Sequence, residues 1–95
     1  PAHEFYFAGF LPNSSGARKN QLEKLKKLDC TLVFYESCHR ILASLDDIST
    51  VFGDQEIAVA RELTKKFEEV LRANPKIIQK KLAEHKPRGE FVIVI

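Results

Sequence analysis

Apolar residues along this chain fall into runs of two kinds, and the runs set the element order. Glu4-Phe5-Tyr6-Phe7-Ala8-Gly9-Phe10 is aromatic and almost unbroken, which predicts a strand covered on both faces and lying inside a sheet. Leu11-Pro12-Asn13-Ser14-Ser15-Gly16 carries turn residues, and Pro12 lacks the donor that would continue a ladder. A helix is predicted from about Ala17 to Leu28, with Leu22, Leu25 and Leu28 as a narrow apolar stripe. Thr31 to Glu36 reads as a second strand. Ser37 is then the N-cap of a helix from Cys38 to Phe52, where Ile41, Leu45, Ile48 and Phe52 recur at helical spacing, Leu42 widens the face and Gly53 stands at C′. Glu56 to Ala60 is a third strand, followed by the polar run Arg61-Glu62-Leu63-Thr64-Lys65-Lys66. Phe67 to Arg72 reads as a short strand because its apolar residues do not continue at helical spacing. Asn74-Pro75 supplies an N-cap with Pro at the first helical position, and Ile77, Ile78 and Leu82 form the apolar side of a last helix that Pro87 and Gly89 end. Glu90 to Ile95 is the final strand.

The order β-α-β-α-β-β-α-β predicts an α/β domain of two or three layers, with a single mixed sheet of about five strands flanked by helices and largely buried. In open sheets of this kind ligands sit beyond the carboxyl ends of strands. Two strands here end in polar clusters, Glu36 to Arg40 and Arg61 to Lys66, and parallel directions would bring both to one rim.

Composition narrows the picture only modestly. At 95 residues, 44% hydrophobic and 29% charged, the chain has the size and make-up of one globular domain. The net charge of +2 does not by itself indicate a nucleic-acid partner, although positive residues cluster in Arg18 to Lys27, in Lys65-Lys66 and in Lys76 to Arg88. A solvated helix face is the simpler reading of the first cluster, and a phosphate-facing basic helix is the alternative. Cys30 and Cys38 suit reduced thiols and neither a disulfide framework nor a metal site. No signal sequence or membrane-length apolar run is present, so the chain reads as cytoplasmic. The absence of an initial Met and the strand-like ending suggest a piece of a longer protein.

The residues at the expected rim allow several chemistries. Glu36 and His39 are of types that can be tuned for proton transfer, but a His at a helix N-terminus more often lines a surface. Cys38 in a first helical turn would have a lowered thiol pKa, yet adjacent His39 projects elsewhere, so a packing role is favoured. Arg40 and Arg61 are suited to binding phosphate or carboxylate, and equally to pairing with Glu36 and Glu62. There is no Gly-rich phosphate loop, no zinc spacing and no Ser/His/Asp arrangement.

Four blocks in order and spacing sharpen this. Gly9-Phe10-Leu11-Pro12, Phe34-Tyr35-Glu36-Ser37 with His39-Arg40, Ala60-Arg61-Glu62-Leu63-Thr64-Lys65, and Gly89-Glu90-Phe91-Val92 resemble the ribosomal RNA small subunit methyltransferase I group of the tetrapyrrole (corrin/porphyrin) methylases. The resemblance spans nearly the whole chain. It implies the C-terminal subdomain of a two-part enzyme that uses S-adenosyl-L-methionine to methylate a ribose 2′-hydroxyl of small-subunit ribosomal RNA, acting as a cytoplasmic homodimer. The N-terminal half, with its Gly-rich cofactor segment, would be the missing partner, and this chain alone would be inactive. The resemblance further implies that Tyr35, Glu36, Ala60, Arg61 and Gly89 face the cofactor and that Ser37, His39, Arg40, Thr64 and Lys65 face RNA. It identifies no catalytic base. Cys38 stands where relatives often have Pro or Thr, and Arg72-Ala73-Asn74 lacks the Gly common after the Glu-Glu step. A relative acting on a tetrapyrrole precursor, and a non-enzymatic RNA-binding or dimerisation module, are the alternatives.

Overall fold

The computed structural model of the chain describes residues 4–63 and 66–95. The elements are β1 (Phe5–Phe10), α1 (Ser15–Lys26), β2 (Thr31–Ser37), α2 (Ile41–Phe52), β3 (Ile57–Leu63), β4 (Lys66–Ala73), α3 (Pro75–Leu82) and β5 (Glu90–Val94). The strands form one sheet in the order β1-β2-β5-β3-β4. β1 pairs with β2 in parallel, and the β2–β5, β5–β3 and β3–β4 pairs are antiparallel. Hence β1, β2 and β3 run one way, β4 and β5 the other, and the sheet is mixed as the sequence predicts.

The core lies on one side of this sheet. Leu32 and Phe34 of β2, Ile57 and Val59 of β3, and Phe91 and Ile93 of β5 are buried against Leu22 and Leu25 of α1, Ile41, Leu45, Ile48 and Val51 of α2, and Ile78 and Leu82 of α3. Alternation along each strand therefore gives one closed face and one that, among the described residues, carries no helix. The sheet is thus half-covered, not largely buried. β1 is likewise not an interior strand. It lies at the edge, with Phe5, Phe7 and Phe10 exposed, because an unbroken aromatic run reports strand propensity without reporting which faces are covered.

The helix ends follow local chemistry. Ser14 caps α1, its hydroxyl accepting from the Ala17 N–H at 3.3 Å, so the helix starts before Ala17; it ends at Lys26, and Leu28 lies exposed beyond it. Asn74 caps α3 as predicted, its side chain accepting from the Ile77 N–H at 2.9 Å with Pro75 next. Gly53 ends α2 at φ 67°. Helix α2 begins later than the sequence suggests, and Ser37 is not its cap. Ser37 remains in β2 opposite Glu90, and Arg40 donates its N–H to the Ser37 carbonyl at 3.1 Å in a turn before Ile41. Among the described residues, no helix is long and apolar enough to cross a membrane.

Candidate functional site

Because β2 and β3 point the same way, their carboxyl ends meet the amino ends of β4 and β5 along one edge of the sheet. The ladder places Ser37 opposite Glu90 and Glu90 opposite Glu62; one step in, Glu36, Phe91, Arg61 and Glu69 form a row; next come Tyr35, Val92, Ala60 and Val70. The shared rim expected from the two polar clusters is present. Side chains of successive rows point to opposite faces, however, and this divides the expected cofactor residues into two groups.

Tyr35 and Ala60 lie on the open face. There a pocket of about 440 Å³ is lined by Phe10, Tyr35, Glu62, Glu90, Phe91 and Val92. Phe10 reaches it through a bulge in β1: Phe7 is opposite Val33, but Gly9 is opposite Phe34 and Phe10 opposite Tyr35, leaving Ala8 as the extra residue. Gly9 has φ 67°, a conformation that costs other residues strain. The Tyr35 ring meets Phe7 at 5.1 Å and Phe10 at 5.7 Å between centroids, both edge to face. Glu62 and Glu90 face one another directly across the ladder. Like charges so placed repel, and a ligand offering hydroxyl donors or positive charge relieves the repulsion. The pocket thus combines a flat apolar wall with a negative rim.

Glu36 and Arg61 lie on the helix-covered face. Glu36 is 1% exposed and has both carboxylate oxygens engaged, accepting from the Ser37 N–H at 2.9 Å and from the Ser44 hydroxyl of α2 at 2.5 Å. A buried carboxylate needs such donors, and these tie strand to helix. Arg61 Nη2 lies 3.3 Å from Glu69 Oε1, and its buried Nε has no hydrogen-bond partner in the structure. It borders a second, smaller groove with Lys81, His85 and Lys86 beside Glu69 and Glu84. Neither the Arg40–Glu36 nor the Arg61–Glu62 pairing considered from the sequence is among the ion pairs of the described residues.

The remaining expected residues are spread along the rim. Ser37 and Arg40 are half-buried, His39 is exposed, and Gly89 is half-buried at φ 87° just before β5. Thr64 and Lys65 lie outside the described residues. The sequence reading missed Phe10, Glu62, Glu90 and Val92 as pocket residues. Strict alternation in β5 was the available signal for Glu90 and Val92, since burial of Phe91 and Ile93 sends their neighbours to the other face.

Compared with descriptions of known protein families, the chain matches none. Compared with curated proteins, it is similar along its whole length to one called "Ribosomal RNA small subunit methyltransferase I" from Xylella fastidiosa (strain Temecula1 / ATCC 700964), at 46% identity over 100% of the chain and 36% of that protein. It is similar to proteins of the same description from Micromonospora olivasterospora, at 42% identity over 100% of the chain and 31% of the relative, and from Bacillus subtilis (strain 168), at 43% over 96% of the chain and 31% of the relative. The chain spans about a third of the length of these relatives.

Proposed function

We propose, on the premise that the chain belongs to the ribosomal RNA small subunit methyltransferase I family, that it is the C-terminal subdomain of an enzyme transferring a methyl group from S-adenosyl-L-methionine to a ribose 2′-hydroxyl of small-subunit ribosomal RNA. The observation that carries this reading is the rim pocket on the open face. Its chemistry suits an adenosyl group: Tyr35, Phe10 and Val92 offer apolar surface to a flat base, and Glu62 and Glu90 offer acceptors to ribose hydroxyls or to an ammonium group. When bound, the cofactor supplies a methyl group on a positively charged sulfur. The work left to the protein is alignment, exclusion of water and acceptance of the hydroxyl proton, so positioning groups matter more than a nucleophile.

In this reading Tyr35, Ala60 and Gly89 border the cofactor. Glu36 and Arg61 act from beneath, Glu36 by holding the end of β2 to α2 through Ser44. Ser37, His39 and Arg40, together with Thr64 and Lys65, face the RNA, where cations and aromatic rings suit phosphates and splayed bases. The missing N-terminal half supplies the opposite wall, the enzyme acts as a homodimer in the cytoplasm, and this segment alone is inactive.

The test uses the full-length protein. Replacing Tyr35 with Ala removes one face of the adenosyl site and is expected to weaken cofactor binding about tenfold, corresponding to roughly 1.4 kcal/mol of lost stacking. Arg40→Ala should leave calorimetric cofactor affinity near that of the parent and lower the rate of methyl incorporation into small subunits. A 2′-O-methyl product also resists alkaline cleavage at the modified linkage, which distinguishes ribose from base methylation. Normal affinity in Tyr35→Ala together with a normal rate in Arg40→Ala would remove the rim from the reaction, and preferential methylation of a porphyrinoid would reassign the substrate.

A further inference from the structure

We propose that the small groove on the helix-covered side of the rim, where Arg61 meets Lys81, His85 and Lys86, takes a backbone phosphate of the RNA. This deepens the reading that small-subunit RNA is the substrate, and it rests on that reading. Arg61 and Glu62 are consecutive residues of β3, so the groove on one face and the pocket on the other share a single edge of the sheet. The Arg61 side chain is 29% exposed, and its ion pair among the described residues is the one with Glu69 at 3.3 Å, long for a charge-assisted contact. Its Nε has no partner. A guanidinium carries five donors in a fixed fork, so Arg61 keeps donors for a ligand in the groove.

The charge and size of the groove select its occupant. Arg61, Lys81 and Lys86 outnumber the carboxylates of Glu69 and Glu84, and neither lysine is in an ion pair among the described residues. Lys81 stands in the last turn of α3, where it also complements the helix dipole. That account does not reach Lys86, which lies beyond the helix, or Arg61, which lies in a strand. The groove holds about 110 Å³, well under the roughly 300 Å³ at which small-molecule pockets begin, so it suits one anionic group and not a nucleoside or a porphyrinoid. An arginine fork with lysine point charges beside it matches phosphate. S-adenosyl-L-methionine carries no phosphate, and its proposed seat is on the other face. An RNA strand crossing the shared edge would thus present a ribose to the pocket and a neighbouring phosphate to the groove. The basic run from Lys76 to Arg88 acquires a role by this placement.

The experiment uses the full-length protein carrying Lys81→Gln and Lys86→Gln together, two exposed positions at which folding tolerates the change. Equilibrium binding to small-subunit RNA is measured over a series of potassium chloride concentrations. Loss of one phosphate contact is expected to weaken binding about fivefold and to flatten the slope of log affinity against log salt by about 0.7. Cofactor affinity by calorimetry is expected to stay at the parent value. Lys24→Gln with Lys27→Gln removes the same charge from exposed positions of α1 and the residue after it, outside the groove, and is expected to change RNA affinity by less than about twofold. Equal losses from the two double variants overturn the proposal, because they report net charge alone. So does an unchanged affinity and slope in the groove variant, or a loss of cofactor affinity there. Binding of inorganic phosphate by the parent alone, with RNA affinity equal in parent and variant, assigns the groove to the free ion and likewise overturns it. Methyl transfer to small subunits is assayed on the same preparations. Methylation by the parent with no groove effect keeps the proposed activity and removes the groove, and a groove effect without methylation does the reverse.

Discussion

The guanidinium of Arg18 is gripped from several directions. Its Nε donates to Asp47 Oδ2 at 2.8 Å, and its Nη1 donates to the carbonyls of Pro12 and Asn13 at 3.3 and 3.1 Å. Asp47 also accepts from the Ser15 hydroxyl at 2.9 Å. Arg18 is 4% exposed, so the residue that opens the first basic cluster belongs neither to a solvated face nor to a phosphate-binding one; it fastens α1 and the loop before it to α2. Breaking a buried pair strands the remaining charge, whereas replacing both partners with apolar groups does not. Arg18→Ala is therefore expected to lower the unfolding free energy of the intact protein by roughly 3 to 5 kcal/mol in urea titrations, and Arg18→Met combined with Asp47→Leu to recover most of that loss. Lys26 is similarly engaged, donating to the Val51 carbonyl near the C-terminal end of α2 at 2.9 Å.

Among the elements, α2 is the hub, flanked by α1 and α3. On the α3 side Gln79 Nε2 donates to the Leu42 carbonyl at 2.8 Å, and Lys76 pairs with Asp46 at the surface. The Lys76 hydrogen bond and charge hold the Asp46 carboxyl below the usual aspartate value near 3.8. A carboxylate whose folded pKa is depressed adds stability above its unfolded pKa and loses it as pH falls through the folded value. The difference in urea midpoint between the parent and Asp46→Asn is thus expected at pH 6 and should shrink steadily below about pH 4. Much of this level was legible in the sequence. The Asn74-Pro75 cap, the Gly53 stop, the strand over Phe67 to Arg72 and the Ile41–Leu45–Ile48 stripe each rest on local chemistry, and each appears where expected. What failed depends on distant partners. Nothing near Arg18 in sequence announces Asp47, and Ser37 loses its cap role to a ladder partner at Glu90 more than fifty residues away. The site suffered likewise: adjacent residues such as Tyr35 and Glu36 were grouped by position, and the pleat separates them onto opposite faces.

For the molecule as a whole, one layer of helices on one face of a sheet leaves the burial unbalanced. Val33, Tyr35, Val70, Val92 and Val94 look outward as an apolar face opposite the one that closes the core. The 95 residues by themselves are accordingly expected to bind a hydrophobic dye such as ANS strongly and to self-associate with rising concentration in sedimentation experiments, and, under the proposal that they are one part of a longer enzyme, that longer protein is expected to do neither. Equal dye binding per molecule by the two proteins would contradict this.

Gly9 gives that face an unexpected governor. An added Cβ there would meet nothing within 4 Å, so the residue is not selected by crowding. Its positive φ instead changes the parity of the strand: with regular alternation after Phe7, Phe10 would point toward the helices, and the bulge turns it out beside Tyr35. A β-branched residue at Gly9 would favour regular alternation and turn Phe10 inward, removing one wall of the pocket. The shape of the rim is thus governed from a position that is not among the residues lining the pocket, and variation there would alter its shape while leaving every lining residue unchanged in identity.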